Sequence, residues 1–180
     1  ETLDVDGKQM ALPEPFHPIL EYSILASPAD PFDPMEKAMK ELSAETLKGT
    51  EHIHNDWKLI QQYPLSRQLL VISHVWKAHD KENYIIAAKG APEAIFDICH
   101  LSAGETKALL KNVTDMSNEG LRVIGVAKAT AKKAPLPENQ HDFDFEFLGL
   151  VGFEDPIRNE VPQAIKECRN AGIKIIMITG

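Results

Sequence analysis

Apolar residues recur along this chain at two different spacings, and the switch between them marks out its elements. Over residues 35–47, Met35, Ala38, Met39, Leu42 and Leu47 fall on one face of a predicted helix. Asp33-Pro34 stands just ahead of it. Aspartate caps the free N–H groups of a first turn, and proline suits a position that needs no donor. The pattern then shortens to apolar and β-branched runs at 57–63, 69–76 and 84–88, which predict strands. The polar turn His79-Asp80-Lys81-Glu82 makes a hairpin of the last two. Pro92 opens a predicted helix through about Cys99, a second helix is expected over 105–117, and Gly120 is placed to end it. Two further strands are expected at 121–127 and 145–152. The stretch between them, 129–142, carries Lys132-Lys133, Pro135 and Pro137 and reads as an exposed loop. The first 33 residues hold Pro13, Pro15, Pro18, Pro28 and Pro31, and predict an irregular lead-in with one short helix near 19–26.

Beyond Gly152 the style changes. Asp155-Pro156 breaks the chain, a helix is expected over 160–171 with Gly172 as its cap, and 173–178 reads as a buried strand. That is the helix and second strand of a parallel α/β unit with no first strand nearby. The expectation is therefore an α+β domain over 1–154, a mainly antiparallel twisted sheet flanked by helices. Residues 155–180 are expected to be a hinge and a fragment of a second domain, an incomplete α/β piece. A strand without sheet neighbours needs cover for its edges and faces. The stretch 173–178 is thus expected to pack on its own domain or to drive self-association with a second copy.

Composition narrows the function classes. Of 180 residues, 43% are hydrophobic and 26% charged, a normal globular mix. The net charge of -8 argues against non-specific nucleic-acid binding, which needs a basic surplus to displace counterions. Cys99 and Cys168 form no CxxC and read as packing thiols in a reducing compartment. The opening Glu1, Asp4 and Asp6 are unlike a secretory signal, and no apolar run approaches the ~18 residues of a membrane span, so a soluble chain is expected. His52 and His54, beside Glu51, would share one face of a strand. Without a third ligand at a workable spacing, no metal site is expected.

Two segments carry the chemistry. Lys89-Gly90-Ala91-Pro92-Glu93 lies between a predicted strand and a predicted helix. Its lysine offers an ammonium to a phosphate or a purine edge, its glycine removes a side chain, and its proline sets a helix start that favours negative charge. On these grounds alone it could also be an ordinary turn. The second segment is Asp155-Pro156-Ile157-Arg158, followed by Val161, Ala164-Ile165, Cys168, Ala171-Gly172-Ile173 and Met177-Ile178-Thr179-Gly180. Together, and in this order, the two resemble the P-type cation-transporting ATPases. The first matches a hallmark of their nucleotide-binding domain, and the second their hinge and re-entry into the phosphorylation domain. The stretch 64–70, with Arg67 alone basic, is more similar to the bacterial pumps of that family than to animal calcium pumps. The resemblance runs roughly from Asp33 to Gly180.

The resemblance implies a site. Lys89 would lie in the adenine pocket, with Gly90 letting the ligand approach the backbone. Glu36 would accept a hydrogen bond from the adenine amino group, and Tyr63 would stack on the base, worth ~1–3 kcal/mol. Arg122 would reach the ATP phosphates. Asp155 and Arg158 would orient nucleotide at the hinge, with Thr179 and Gly180 at the end of the re-entry strand. In the stretch after Tyr63, Arg67 alone is basic and Gln68 stands where a lysine is common, which implies loose binding by the isolated domain. The family's aspartate-lysine-threonine-glycine-threonine motif is not in this sequence, so the chain is expected to bind ATP without accepting its phosphate. The implied cofactors are ATP and, in the full-length pump, Mg2+. The implied partners are the phosphorylation, actuator and membrane domains of the same polypeptide, and the implied location is the cytoplasmic side of an integral membrane protein. Calcium is the first choice of ion by family prevalence. Two other classes compete: a non-catalytic interaction module with a vestigial pocket, and a haloacid-dehalogenase-like phosphatase, which would need a strand-end aspartate that is not evident.

Overall fold

The computed structural model describes residues 3, 12–79, 82–132, 135–154 and 160–178. Their centre is one antiparallel sheet of five strands, β1 (Lys58–Tyr63), β2 (Val71–Lys77), β3 (Tyr84–Gly90), β4 (Arg122–Ala131) and β5 (Glu146–Phe153), laid side by side in chain order. Helices α1 (His17–Leu25) and α2 (Pro34–Thr46) precede the sheet, α3 (Pro92–Ile98) and α4 (Ala103–Asn118) join β3 to β4, and α5 (Val161–Asn170) follows. The expected α+β architecture is the one found.

Alternation along the strands gives the sheet two distinct faces. Tyr63, Val71, Val75, Ile86, Ala88 and Ala127 point to one side, where Ile95 and Ile98 of α3 and the pair Phe143 and Phe145 close the main core. The other side is covered by α1 and α2. There Leu20, Met39 and Leu47 pack with Ile124 and Phe153, while Leu25 and Ala26 pack on Ala87.

Local chemistry explains the boundaries. The Asp33 carboxylate accepts from the Met35 N–H at 2.8 Å, with Pro34 in the first turn of α2. Ser102 and Glu105 form a reciprocal capping box at the start of α4, and Gly120 ends the turn beyond it at a φ of +85°, a left-handed conformation that suits glycine. The loop after α2 is tied to α1 by one carboxylate. Glu21 receives His52 Nδ1 at 2.6 Å on one oxygen and His54 Nε2 at 2.7 Å on the other. The two histidines stand in a loop and not on the strand expected, and they meet Glu21 rather than Glu51. Each ring addresses a different oxygen, and no described group of three such residues could hold a metal ion.

Two expectations fail. Residues 173–178 form no strand; the apolar run stands exposed, reaching 90% at Ile178. A strand exists only through a neighbour's N–H and C=O groups, and among the described residues none flanks this segment. It does not pack on its own domain. The stretch 129–142 is only partly a loop, because β4 continues to Ala131 and Gln140 is buried at its far end. The Gln140 amide accepts from Ser73 Oγ at 2.6 Å and donates to the Val71 carbonyl at 3.0 Å, which draws the segment onto the sheet.

Candidate functional site

Antiparallel pairing gathers the residues singled out by the sequence at one end of the sheet. The last residues of β1 and β3 and the first of β2 and β4 lie there, beside the first turn of α2. Lys89 is the penultimate residue of β3, paired with Ile72 on one side and Val126 on the other, and its side chain turns toward α1 and α2. It is 7% exposed. Its ammonium lies 2.6 Å from Glu36 Oε1 and donates to Ser27 Oγ at 2.5 Å. Glu36 is the third residue of α2, where a glutamate ordinarily reaches back to the capping N–H. Here one of its oxygens is spent on lysine.

Electrostatics at this pair run in opposite directions. Burial is the largest influence on Lys89 and pulls its pKa below the usual 10.5. The hydrogen bond and charge of Glu36, and the charge of Asp33, push it back up without overcoming burial. A paired, largely buried ammonium beside a helix N-terminus is a donor–acceptor edge: N–H groups from lysine, and a carboxylate oxygen from Glu36. Such an edge fits a heterocycle that presents an amino group next to a ring nitrogen.

Arg122 opens β4 on the same face. Val126, Ile124 and Arg122 alternate toward the α1–α2 side, and four residues of strand place its Cα about 13 Å from that of Val126, beside Lys89. Its side chain is exposed.

The chain matches the family described as "P-type ATPase, cytoplasmic domain N" over residues 32–160. It belongs to that family. This N domain is 32% identical to a calcium-transporting ATPase of Bacillus subtilis over 162 residues, 82% of the chain and 18% of the relative. It is 33% identical to sodium/potassium exporting P-type ATPase 1 of Saccharomyces cerevisiae over 67% of the chain and 13% of the relative. It is 35% identical to a sodium/potassium-transporting ATPase subunit alpha of Hydra vulgaris over 57% of the chain and 12% of the relative. The N domain thus spans less than a fifth of these relatives' length, and their names do not agree on a cation. No described helix is long and apolar enough to cross a membrane.

The structure assembles only part of the expected adenine nest. Glu36 and Lys89 meet, but Tyr63 is not with them. Tyr63 pairs with Ser73, and that row of the sheet faces the main core, opposite to Lys89. The ring is 6% exposed, lies edge-on to Phe143, and its hydroxyl donates to the Pro137 carbonyl at 2.5 Å. A ring so enclosed offers no free face to a base. At Gly90 a Cβ would lie 2.1 Å from the Leu70 carbonyl oxygen, so the chain's own backbone is enough to require the glycine. Arg67 is exposed on the turn between β1 and β2. Asp155, Arg158, Thr179 and Gly180 lie outside the described residues. A hollow of about 410 Å³ opens on the Tyr63 side, between the Pro64–Leu69 turn and Asn139–His141, away from the Lys89–Glu36 pair.

Sequence reading missed the lead-in's contribution. Leu25 accepts from His74 Nδ1 at 2.9 Å and from Trp76 Nε1 at 2.8 Å, which pins the end of α1 to β2 and brings Ser27 to Lys89. An apolar helix was legible there; its partner was not, because nothing in a serine before a proline announces a lysine 62 residues on. Cys99 is the packing thiol expected, with burial pushing its pKa up to about 12.

Proposed function

We propose that this N domain binds ATP on the Lys89 face of the sheet and presents it to a phosphorylatable aspartate elsewhere in the pump, driving cation transport. The observation that carries the reading is the Lys89–Glu36 pair. Lysine donates to a ring nitrogen of adenine, and the carboxylate oxygen it leaves unused accepts from the exocyclic amino group. Arg122, on the same face, points the phosphates along β4, and Arg67 adds a second cation at that end of the sheet. With Tyr63 turned into the core, the base loses the stacking partner that the resemblance implied, which supports loose binding by the domain alone. Mg2+ would supply charge neutralisation at the phosphates in the whole pump. Asp155 and Arg158 serve the swing toward the phosphorylation domain, with 155–180 as the hinge and the start of that domain. The chain alone holds the nucleotide without turning it over. Calcium is the proposed ion, supported by the Bacillus subtilis relative's name.

Calorimetric titration with ATP tests the site. The wild-type chain should give weak, saturable binding, and Lys89→Ala should weaken it by about tenfold or more, the scale of one charge-assisted hydrogen bond. No heat from the wild type at millimolar ATP would hand the pocket to the interaction-module reading. An unchanged Lys89→Ala affinity would remove lysine from the site.

A further inference from the structure

We propose that Ser27 is a positioning residue of the nucleotide site, holding the Lys89 ammonium so that one N–H and one Glu36 oxygen remain for the base. This rests on the reading that ATP binds on the Lys89 face. Ser27 precedes the stretch that matches the family, which begins at residue 32.

The hydrogen-bond directions fix the role. The Ser27 hydroxyl donates to the Ser23 carbonyl at 2.8 Å, so toward Lys89 it can only accept. It cannot drift after the lysine, because the end of α1 is pinned to β2 through the Leu25 carbonyl. An ammonium carries three N–H groups. Among the described residues, Glu36 Oε1 takes one and Ser27 Oγ a second, both within 2.6 Å, which leaves the third. Lysine has a flexible four-carbon stem and swings readily. Without the serine, the ammonium is free to settle across both Glu36 oxygens. That closes the acceptor an adenine amino group needs and turns the third N–H away from the base. Ser27 therefore preserves the donor–acceptor edge by restraining its donor.

The test is ATP calorimetry on wild type, Ser27→Ala, Ser27→Thr and Lys89→Ala, with the Lys89 titration followed through its side-chain carbon shift. Ser27→Ala should weaken ATP binding about three- to tenfold, less than the loss of the lysine itself. It should also raise the Lys89 pKa above that of the wild type, because a second Glu36 oxygen takes the place of the neutral hydroxyl beside the ammonium. Ser27→Thr should restore both. If Ser27→Ala does not fold, Ser27→Cys keeps the volume with a weak acceptor and should show the same two changes. Wild-type affinity and Lys89 titration in a folded Ser27 variant, with binding lost in Lys89→Ala, would overturn the proposal and leave the ATP site standing. A wild type that does not bind, or a Lys89→Ala chain that binds normally, would overturn both.

Discussion

Lys89 and Glu36 show how one residue pair can serve stability and recognition together. Removing one partner of a buried pair leaves the other uncompensated, so Glu36→Ala should destabilise the fold as well as weaken ATP binding, by a few kcal/mol at most because Glu36 retains some solvent. His74 yields a cleaner prediction. It is buried, with Nδ1 on Leu25 and Nε2 on Gln62, and burial, the largest influence, holds its pKa below the usual 6.5. The unfolded chain therefore takes up this proton first as pH falls. Stability from His74 is intact above about pH 6.5 and is lost as pH drops from there toward the folded pKa. Urea midpoints at pH 7.5 and pH 5 should separate less in His74→Asn, which keeps a donor for Leu25, than in the wild type. Equal separation would contradict this. At this scale the sequence was informative where a motif fixes identity and silent where tertiary contact fixes orientation. Lys89 and Glu36 were both legible. That Tyr63 faces the other side was not, because one step of register decides which face a strand residue occupies.

Among the elements, β3 and its exit into α3 carry the most constraint. Gly90→Ala should be strongly destabilising, since the new methyl would overlap the Leu70 carbonyl and force β2 and β3 apart. The urea midpoint should fall with or without ATP; a loss of binding with unchanged stability would return Gly90 to a ligand role. The cap of α2 is milder. Asp33→Ala should cost about 1 kcal/mol, by urea unfolding, for the lost hydrogen bond to the Met35 N–H. The five strands of the sheet, the hairpin and all five described α-helices were readable because apolar period and capping residues act locally. The segment 173–178 was misread for the opposite reason. Its apolar run encodes a strand, but a strand is a relation between two segments, and among the described residues the partner is missing.

At the scale of the whole molecule, the meander does the gathering. Five strands in chain order bring the exit of β3, the start of β4 and the cap of α2 to one end, where the lead-in closes over them. The exposed run at 173–178 predicts that light scattering will detect association of the chain, relieved when 157–180 is removed. Monomeric behaviour of both would count against pairing through that run. The central claim is that nucleotide sits on the α1–α2 face of the sheet, against Lys89. Amide chemical shifts recorded while ATP is added decide it. The account predicts movement concentrated at Ser27, Glu36, Lys89 and Arg122. Movement confined to Tyr63, Asn139 and His141 around the opposite hollow, or no movement at millimolar ATP, would contradict it.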